Sequence, residues 1–299
     1  MSIVNRISRV FYSSEEITFN NSSKLVFISD CHRGDGGLSD NFSKNQNIYF
    51  SALEYYYEHG FTYIELGDGD ELWENNKLCN IVKEHYDIYW ILSKFFNTNR
   101  LYLIYGNHDK AKKTTKFLEK NLFTCFDEIK NTEVPLFPGI KVHEGLVLRH
   151  QETDEKILLI HGHQGDIFND KFGWLSKILV RYLWKPLEIF GVNDPTSAAK
   201  NYVKKERVAR KLTNWVEKEK HMLICGHTHR PMFPSLGHAP YFNDGSCVHP
   251  HSITSLEIVN GLITLVKWQI KTKSDRTLFI GREIIAGPEL LEKYFKYFH

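Results

Sequence analysis

Apolar and polar positions alternate regularly between residues 24 and 109. Three short apolar runs, KLVFIS, YIEL and LYLIY, are rich in Ile, Leu and Tyr and are typical of buried strands. Amphipathic stretches at 45–60 and 81–97 lie between them and predict helices, the first closed by Gly60. This order predicts a βαβαβ unit, in which right-handed crossovers bring the carboxyl ends of the three strands to one edge of a sheet.

The downstream pattern is richer in strands. Asn260-Gly261 is a strong hairpin signal. The expected elements are strands at 140–149 and 156–161, a hairpin at 253–269, a strand at 277–285 and a closing helix at 288–298. Together with the βαβαβ unit they predict an α/β fold, namely a four-layer sandwich of two mixed β-sheets flanked by helices, formed by residues 1–299 as a single domain.

A helical insertion interrupts the strand pattern at residues 165–220. Its first part carries apolar residues at helical spacing and its second part a basic face. The residues are Phe168, Phe172, Leu175, Leu179 and Leu183 in the first part, and Lys200, Lys204, Arg207 and Lys211 in the second. For the apolar part three interpretations stay open: packing on the main domain or on a second subunit as a dimer, binding of a lipid-like substrate, and peripheral membrane contact through residues 167–192.

Composition narrows the class of protein. The 38 Lys and Arg residues nearly balance 36 Asp and Glu residues, which argues against a dedicated nucleic-acid binder. The five cysteines are scattered, with no CxxC pair, and fit free thiols in a reducing compartment. No secretory signal and no apolar run of spanning length is evident. We therefore expect a cytoplasmic protein, with peripheral contact at the inner membrane face as an alternative.

Five of the apolar runs are followed immediately by residues of types that can bind metal ions. Carboxylate, amide and imidazole groups together suit Mn, Fe, Zn or Ni better than Mg or Ca. Two such ions about 3.5–4 Å apart can activate water and stabilise the oxygens of a phosphoryl group. The sequence therefore predicts a site for two divalent transition-metal ions, Mn first. The predicted ligands are Asp30, His32, Asp68, Asn107, His161, His227 and His229.

The order of these segments resembles the signature of the calcineurin-like metallophosphoesterases: D-x-H, G-D, G-N-H-D, a histidine and G-H-x-H. The resemblance implies that one ion is held by Asp30, His32, Asp68 and His229, and the other by Asp68, Asn107, His161 and His227. It also implies that a bridging hydroxide attacks phosphorus in line. By the same resemblance, His108 and Asp109 are catalytic: His108 stabilises or protonates the leaving oxygen, and Asp109 orients that imidazole.

The segment Gly67-Asp68-Gly69-Asp70-Glu71-Leu72-Trp73 is similar to that of the branch containing UDP-2,3-diacylglucosamine pyrophosphatases. These enzymes place a helical lid between the fourth and fifth motifs, as residues 165–220 would. The resemblance implies a small-molecule or lipid-linked phosphate ester or pyrophosphate as the substrate. The predicted substrate contacts are Arg33, Asn107, Lys204 and Arg207. A surface salt bridge is the equal alternative for Arg33, and a solvated face the alternative for the two insertion residues.

Two other functions compete with this one. The first is a general phosphatase or nucleotide phosphodiesterase whose insertion serves only as a gate. The second is a metal-binding interaction module without catalysis. Each motif alone is commonly a turn or a capping sequence, but all the expected ligands occur together with His108 and Asp109. The conjunction therefore favours an enzyme.

Overall fold

Two large β-sheets form the centre of the protein in the computed structural model, which describes residues 2–127, 131–166 and 202–299. One sheet has seven strands in the order β14-β13-β12-β2-β3-β4-β7, and the other has five in the order β1-β8-β9-β10-β11. The seven-stranded sheet contains β2 (Lys24–Ile28), β3 (Thr62–Leu66), β4 (Leu101–Ile104), β7 (Val142–His143), β12 (Ser252–Val259), β13 (Leu262–Thr272) and β14 (Leu278–Leu290). The five-stranded sheet contains β1 (Glu15–Phe19), β8 (Gly145–His150), β9 (Lys156–Ile160), β10 (Met222–Cys225) and β11 (Tyr241–Asn243). A separate hairpin pairs β5 (Thr124–Asp127) with β6 (Thr132–Pro135).

Seven helices surround the two sheets in the described part of the chain, and the last of them packs its buried residues into the layer between the sheets. They are α1 (Ile3–Ser13), α2 (Gln46–Glu58), α3 (Leu78–Glu84), α4 (Tyr86–Asn97), α5 (Thr115–Asn121), α6 (Tyr202–Glu219) and α7 (Leu291–Phe295). Short 3-10 turns lie at Ser43–Asn45, Lys110–Lys113, His163–Gly165 and Lys296–Phe298.

The alternation of side chains along the strands creates three apolar layers. In β8 and β9, Leu146 and Leu159 face the seven-stranded sheet, while Val147 and Leu158 face α1 and α6. The outer face of the seven-stranded sheet packs against α2 and α4. The architecture is therefore the predicted four-layer sandwich of two mixed sheets with helices outside.

Most predicted elements are present. The predicted strand pair of β8 and β9 is antiparallel, and β12 and β13 form the predicted hairpin, with Asn260 at φ 52° and Gly261 at φ 69° in its turn. The predicted helix over 81–97 is divided into α3 and α4 at His85, whose φ of −107° and ψ of 39° are not helical. Its imidazole is buried, with Nε2 3.0 Å from Asp40 Oδ2.

Both ends of the chain differ from the expectation. The predicted closing helix begins later, because β14 continues to Leu290 before α7 starts. At the other end, α1 and β1 have no counterpart among the predicted elements; β1 adds a parallel strand to the edge of the five-stranded sheet beside β8. Of the insertion, the structure describes 165–166 and α6, and the apolar stretch 167–192 lies outside the described residues. No helix in the described ranges is both long enough and apolar enough to cross a bilayer.

Candidate metal centre

The ends of five strands from both sheets converge on one site. The parallel strands β2, β3 and β4 end at one edge of the seven-stranded sheet, and β9 and β10 end opposite them in the five-stranded sheet. Backbone pairing continues into the loops: the N–H of Asp30 donates to Gly67 C=O at 3.0 Å, and the N–H of His32 donates to Asp68 C=O at 2.9 Å. Across the site, Gly226 N–H donates to His161 C=O at 2.9 Å. The loops are therefore held by the sheets themselves.

Backbone strain is concentrated in the predicted ligands. A positive φ is uncommon for residues other than glycine and costs roughly 1–3 kcal/mol, so it persists where the surroundings enforce it, often at functional sites. Five predicted ligands have this conformation: Asp30 (φ 51°), His32 (φ 50°), Asp68 (φ 50°), His227 (φ 70°) and His229 (φ 53°). Two of these residues in one loop, Asp30 and His32, bring their side chains within 3.7 Å of each other.

Two glycines of the motifs allow these loops to approach each other. A Cβ on Gly106 would lie 2.1 Å from Asp68 Oδ1, and a Cβ on Gly226 would lie 2.0 Å from Ser29 Oγ. Both distances are far below van der Waals contact. The glycines of G-N-H-D and G-H-x-H are therefore required by the closeness of neighbouring ligand loops.

One group of predicted ligands surrounds Asp30. His229 Nε2 lies 3.0 Å from Asp30 Oδ1, and His32 Nε2 lies 3.7 Å from the same oxygen. The other carboxylate oxygen, Oδ2, accepts hydrogen bonds from Ser29 Oγ at 2.5 Å and from the N–H of His227 at 2.7 Å. Oδ1 is thus left facing the two imidazoles, with three candidate ligand atoms within 4.8 Å of one another.

A second group surrounds Asp68. His161 Nε2 lies 3.1 Å from Asp68 Oδ2, and Asp68, His161 and His227 present three candidate ligand atoms within 4.8 Å of one another. The Nδ1 of His161 lies 2.9 Å from Leu66 C=O, which fixes the proton on Nδ1 and turns Nε2 inward. Asp68 Oδ2 is also 3.9 Å from His32 Nε2. Asp68 therefore lies between the two groups.

Several inward-facing atoms form no hydrogen bond of normal geometry in the described part of the chain, although two of them lie 3.0 Å from His229 Nε2 and 3.1 Å from Asp68 Oδ2. They are Asp30 Oδ1, Asn107 Oδ1, His161 Nε2 and His227 Nε2. Buried polar atoms in proteins are nearly always hydrogen-bonded, so unpaired ones need an explanation such as a bound ion. Each of these atoms belongs to a predicted metal ligand. The residues present therefore fit a site for divalent cations, and we call the seven predicted ligands together the ligand cluster.

The charges within the ligand cluster stabilise each other. Burial works to raise the pKa of Asp30, but His229 and His161 outweigh it and hold the pKa well below its usual value. Burial works to lower the pKa of His161, but Asp68 and Asp30 outweigh it and raise the pKa to about 9. A coordinating imidazole must be unprotonated at the ligating nitrogen, so His161 has to lose a proton to bind a cation. Cation affinity should therefore decrease as the pH falls.

Glu71 is a site residue to which the sequence analysis assigns no role. Its carboxylate lies 2.7 Å from His32 Nδ1 and 2.8 Å from His108 Nδ1. An ionised carboxylate only accepts hydrogen bonds, so both imidazoles carry the proton on Nδ1 and present Nε2 to the site. Trp73 stacks on His108 with ring centroids 4.0 Å apart. The signal was present in the acidic residue and the aromatic that follow Gly67-Asp68.

Asp109 has a different role from the predicted one. Its carboxylate accepts hydrogen bonds from Gly106 N–H at 2.7 Å and from Lys112 Nζ at 2.7 Å, while His108 is oriented by Glu71. Asp109 therefore fixes the backbone of its own loop. Asp109 and Lys112 belong to a buried group of five charged residues, which we call the ion-pair cluster: Arg33, Glu65, Asp70, Asp109 and Lys112.

The burial of Arg33 contradicts both interpretations that the sequence analysis gave for it, the substrate contact and the surface salt bridge. Arg33 is 1% exposed. Its Nε donates to Asp70 Oδ1 at 2.7 Å, and its Nη1 and Nη2 donate to the two carboxylate oxygens of Glu65 at 2.8 and 3.0 Å. The guanidinium thus connects β3 to the loop that follows it.

The remaining predicted substrate residues lie at the insertion and at β4. Asn107 lies in the ligand cluster, whereas the side chain of Lys204 lies outside the described residues. Arg207, on α6, lines a groove beside the loop that carries His227 and His229. Asp166, which the sequence analysis does not single out, places a carboxylate oxygen 3.8 Å from His227 Nε2.

The match to one protein family agrees with this arrangement. The family described as calcineurin-like phosphoesterase matches residues 23–231, a range that contains the whole ligand cluster. The solved structure of Chaetomium thermophilum Vps29 is 12% identical, with a TM-score of 0.41 over 88% of this chain and 96% of that chain. No curated protein sequence matches significantly. The family match covers well over half of the chain, and the chain therefore belongs to the calcineurin-like phosphoesterase family.

Proposed function

We propose that this protein is a metal-dependent phosphoesterase that hydrolyses a phosphate ester or pyrophosphate bond at a dinuclear centre. The main support is that Asn107 Oδ1 and His227 Nε2 are buried without a hydrogen bond in the described chain, at strand ends where carboxylate and imidazole ligand atoms lie within 4.8 Å of one another. Such a desolvated group of carboxylate and imidazole atoms is unfavourable by itself and becomes favourable around cations.

The ligand cluster divides into two sets around Asp68. Asp30, His32 and His229 would hold one ion, and Asn107, His161 and His227 the other. When bound, divalent ions would activate water and stabilise charge on the phosphoryl oxygens. The mixture of imidazole, amide and carboxylate groups favours Mn, with Fe, Zn and Ni as alternatives.

His108 is the proposed proton donor to the leaving oxygen. Burial works to lower the pKa of His108, but Glu71 and Asp68 outweigh it and raise the pKa above its usual value. The imidazole can therefore hold a proton near neutral pH. Glu71 keeps Nδ1 occupied, so that Nε2 is the atom presented to substrate, and Trp73 restricts the tilt of the ring. In this proposal Glu71 takes the positioning role that the sequence analysis gives to Asp109.

Substrate identity is the finer part of the proposal. A nucleotide-linked or lipid-like pyrophosphate, as in the UDP-2,3-diacylglucosamine pyrophosphatase branch, follows from the resemblance at residues 67–73. That branch would use the apolar stretch 167–192 for acyl chains, which is outside the described residues. A general phosphatase or nucleotide phosphodiesterase, in which the insertion serves only as a gate, is the second candidate.

The test is metal-dependent turnover of a chromogenic phosphodiester. Protein loaded with Mn should hydrolyse bis(p-nitrophenyl) phosphate, and chelator should abolish the rate. His108→Ala should retain two ions per chain by elemental analysis and lose about 10²–10⁴-fold in turnover. No rate above buffer in protein that carries two ions would reject the enzyme in favour of a non-catalytic metal-binding module. Full turnover in His108→Ala would reject the proton-donor role alone.

A further inference from the structure

A hydrogen-bonded chain of three buried residues joins the two sheets at Asp30. Ser29 directly follows β2 of the seven-stranded sheet, and Asp244 directly follows β11 of the five-stranded sheet. Ser29 Oγ lies 2.5 Å from Asp30 Oδ2 and 2.7 Å from Asp244 Oδ1. All three side chains are buried. We call these residues the Asp244–Ser29–Asp30 chain.

The backbone around Asp244 places its carboxyl group beside Ser29. The N–H of Asp244 donates to Cys225 C=O at 3.0 Å, which continues the pairing of β10 with β11. The next residue after Cys225 is Gly226, where a Cβ would lie 2.0 Å from Ser29 Oγ and 2.5 Å from Asp30 Oδ2. The missing side chain of Gly226 therefore leaves the space in which the three polar groups meet.

The protons of this chain can be counted from its distances. A serine hydroxyl has one proton, so Ser29 can donate to only one of the two carboxyl groups beside it. The other contact needs a proton on the carboxyl group itself, because two oxygens without a proton between them repel each other at hydrogen-bond distance. One of the two carboxyl groups is therefore a neutral acid.

Asp244 is the group whose surroundings favour the neutral acid. Asp30 Oδ2 also accepts the N–H of His227 at 2.7 Å, and Asp30 Oδ1 lies 3.0 Å from His229 Nε2, so Asp30 is stabilised as an anion. In contrast, Asp244 Oδ2 is buried and has no hydrogen bond among the described residues. An ionised Asp244 would bury an uncompensated charge beside a second carboxylate. Asp244 thus donates to Ser29, and Ser29 donates to Asp30.

The chain holds the Asp30 carboxylate in the orientation that a ligand needs. Its Oδ2 accepts two hydrogen bonds, from Ser29 and from the N–H of His227, while its Oδ1 lies among the imidazoles of His32 and His229. A carboxylate turned out of this plane would lose both hydrogen bonds. Hydrogen-bond partners that orient a ligand in this way contribute to metal affinity.

We propose that Ser29 and Asp244 are positioning residues for Asp30, with Asp244 as a neutral acid that acts through the Ser29 hydroxyl. The proposal rests on the metal-dependent function only in taking Asp30 as a ligand. Because Asp30 is grouped with His32 and His229, loss of the chain should weaken the ion of that set. The set around Asp68 should keep its ion.

Metal binding tests the chain without any turnover. Mn affinity is measured by competition with a chromophoric chelator for the unaltered protein and for Ser29→Ala, Asp244→Ala and Asp244→Asn. Each alanine variant should lose about 10–100-fold in affinity for one of the two ions. Asp244→Asn should stay within about threefold of the unaltered protein, because its amide can donate to Ser29 as the neutral acid does.

Ser255→Ala is the matched control for Ser29→Ala. The Ser255 hydroxyl is also buried and lies 2.9 Å from the hydroxyl of Tyr56, outside the ligand cluster. This variant should bind Mn as the unaltered protein does. Unchanged affinity in both chain alanine variants, with the fold intact by circular dichroism, would overturn the proposal. An Asp244→Asn affinity as low as that of Asp244→Ala would also overturn it, since Asp244 would then act by its charge.

Infrared spectroscopy tests the proton on Asp244 directly. The difference spectrum between chelator-treated unaltered protein and Asp244→Asn at neutral pH should contain the carbonyl band of a protonated carboxylic acid. Absence of this band would overturn the proposal. The measurement needs no alanine variant, so it is decisive even if those variants do not fold. If the unaltered protein binds no Mn, the phosphoesterase proposal fails, and the infrared band still decides whether Asp244 donates to Ser29.

Discussion

Two buried polar clusters lie side by side beneath the same strand ends, and they differ in how their charges are satisfied. In the ion-pair cluster, Lys112 Nζ lies 2.7 Å from both Asp70 and Asp109, and Arg33 binds Asp70 and Glu65. In the ligand cluster, Asn107 Oδ1 and His227 Nε2 are buried and have no hydrogen bond in the described chain. The ion-pair cluster thus pairs its cations with carboxylates inside the protein, whereas the ligand cluster keeps buried polar atoms for which the described chain supplies no hydrogen bond.

This difference distinguishes residues that support the structure of the site from residues that are available to bind a ligand. The ion-pair cluster combines cationic and anionic side chains, so its desolvation is offset internally. The ligand cluster combines carboxylates with imidazoles on strained backbone, an arrangement that stabilises a cation placed between them. Charged residues that are neighbours in sequence, such as His32 and Arg33, thus belong to different clusters. The predictions below test the division.

Asp68→Asn should have the largest effect on activity. The variant removes the negative charge of the carboxylate between the two ligand groups. Because this charge contributes several kcal/mol to stabilising the bound ions, we expect turnover to fall by about 10³-fold or more. Elemental analysis should find fewer than two ions per chain. The metal-free protein should lose less stability than with Arg33→Met, because Asn can still accept the His108 N–H that Asp68 Oδ1 accepts at 2.8 Å. Two ions retained at full occupancy would contradict the role of Asp68.

Arg33→Met should have the largest effect on stability. It removes the shared partner of Glu65 and Asp70 and leaves buried charge, so the free energy of unfolding of chelator-treated protein should fall by about 3–5 kcal/mol in urea titration. Arg149→Met is the matched control: the Arg149 side chain is 40% exposed and pairs with Asp154 and Glu16. Because this pair is solvent-exposed, its loss should lower the free energy of unfolding far less than Arg33→Met does. Similar costs for both variants would remove the distinction between the ion-pair cluster and a surface pair.

Glu71→Gln should have an intermediate effect, on metal affinity. The amide cannot accept hydrogen bonds from two imidazoles as the carboxylate does, so His32 is held less firmly as a ligand. Mn affinity, measured by competition with a chromophoric chelator, should fall about 10–100-fold. Glu119→Gln, at an exposed position of α5, is the control and should leave the affinity unchanged. Unchanged affinity in Glu71→Gln would mean that the carboxylate does not support His32.

Asp40→Asn should have the smallest effect, on stability. It tests a carboxylate outside the ligand cluster whose hydrogen-bond partners all belong to the protein. Burial works to raise the pKa of Asp40, but hydrogen bonds from His85 and from the N–H of Gly36 outweigh it and lower the pKa. A carboxyl group whose pKa is lower in the folded state than its unfolded value of about 3.9 stabilises the protein above that pH. This stabilisation is lost as the pH falls through the folded pKa. The variant should cost about 1–2 kcal/mol at pH 7 and show less loss of stability below about pH 4 in urea titrations. An unchanged acid profile would contradict the assignment.

The sequence predicted the ligand cluster better than the residues around it. The ligands follow apolar runs, and parallel strands bring such positions to one edge whatever the detailed packing. Glu71 and Asp109 could not be assigned in this way. Both lie in loops just after strands, and which carboxylate meets His108 depends on how the two loops turn, not on their distance in sequence. The conformations of the two loops bring Glu71 Oε2 to 2.8 Å from His108 Nδ1.

The sequence alone predicted the βαβαβ order, the hairpin at Asn260-Gly261 and the candidate ligands that follow the strands, because these depend on local periodicity and on residue chemistry. Tertiary structure decided which charged residues are buried with partners and which face an open site. It placed Arg33 in the ion-pair cluster and Arg207 beside the His227 loop. The physical reason is that desolvation and pairing depend on contacts between segments far apart in the chain, which no local pattern records.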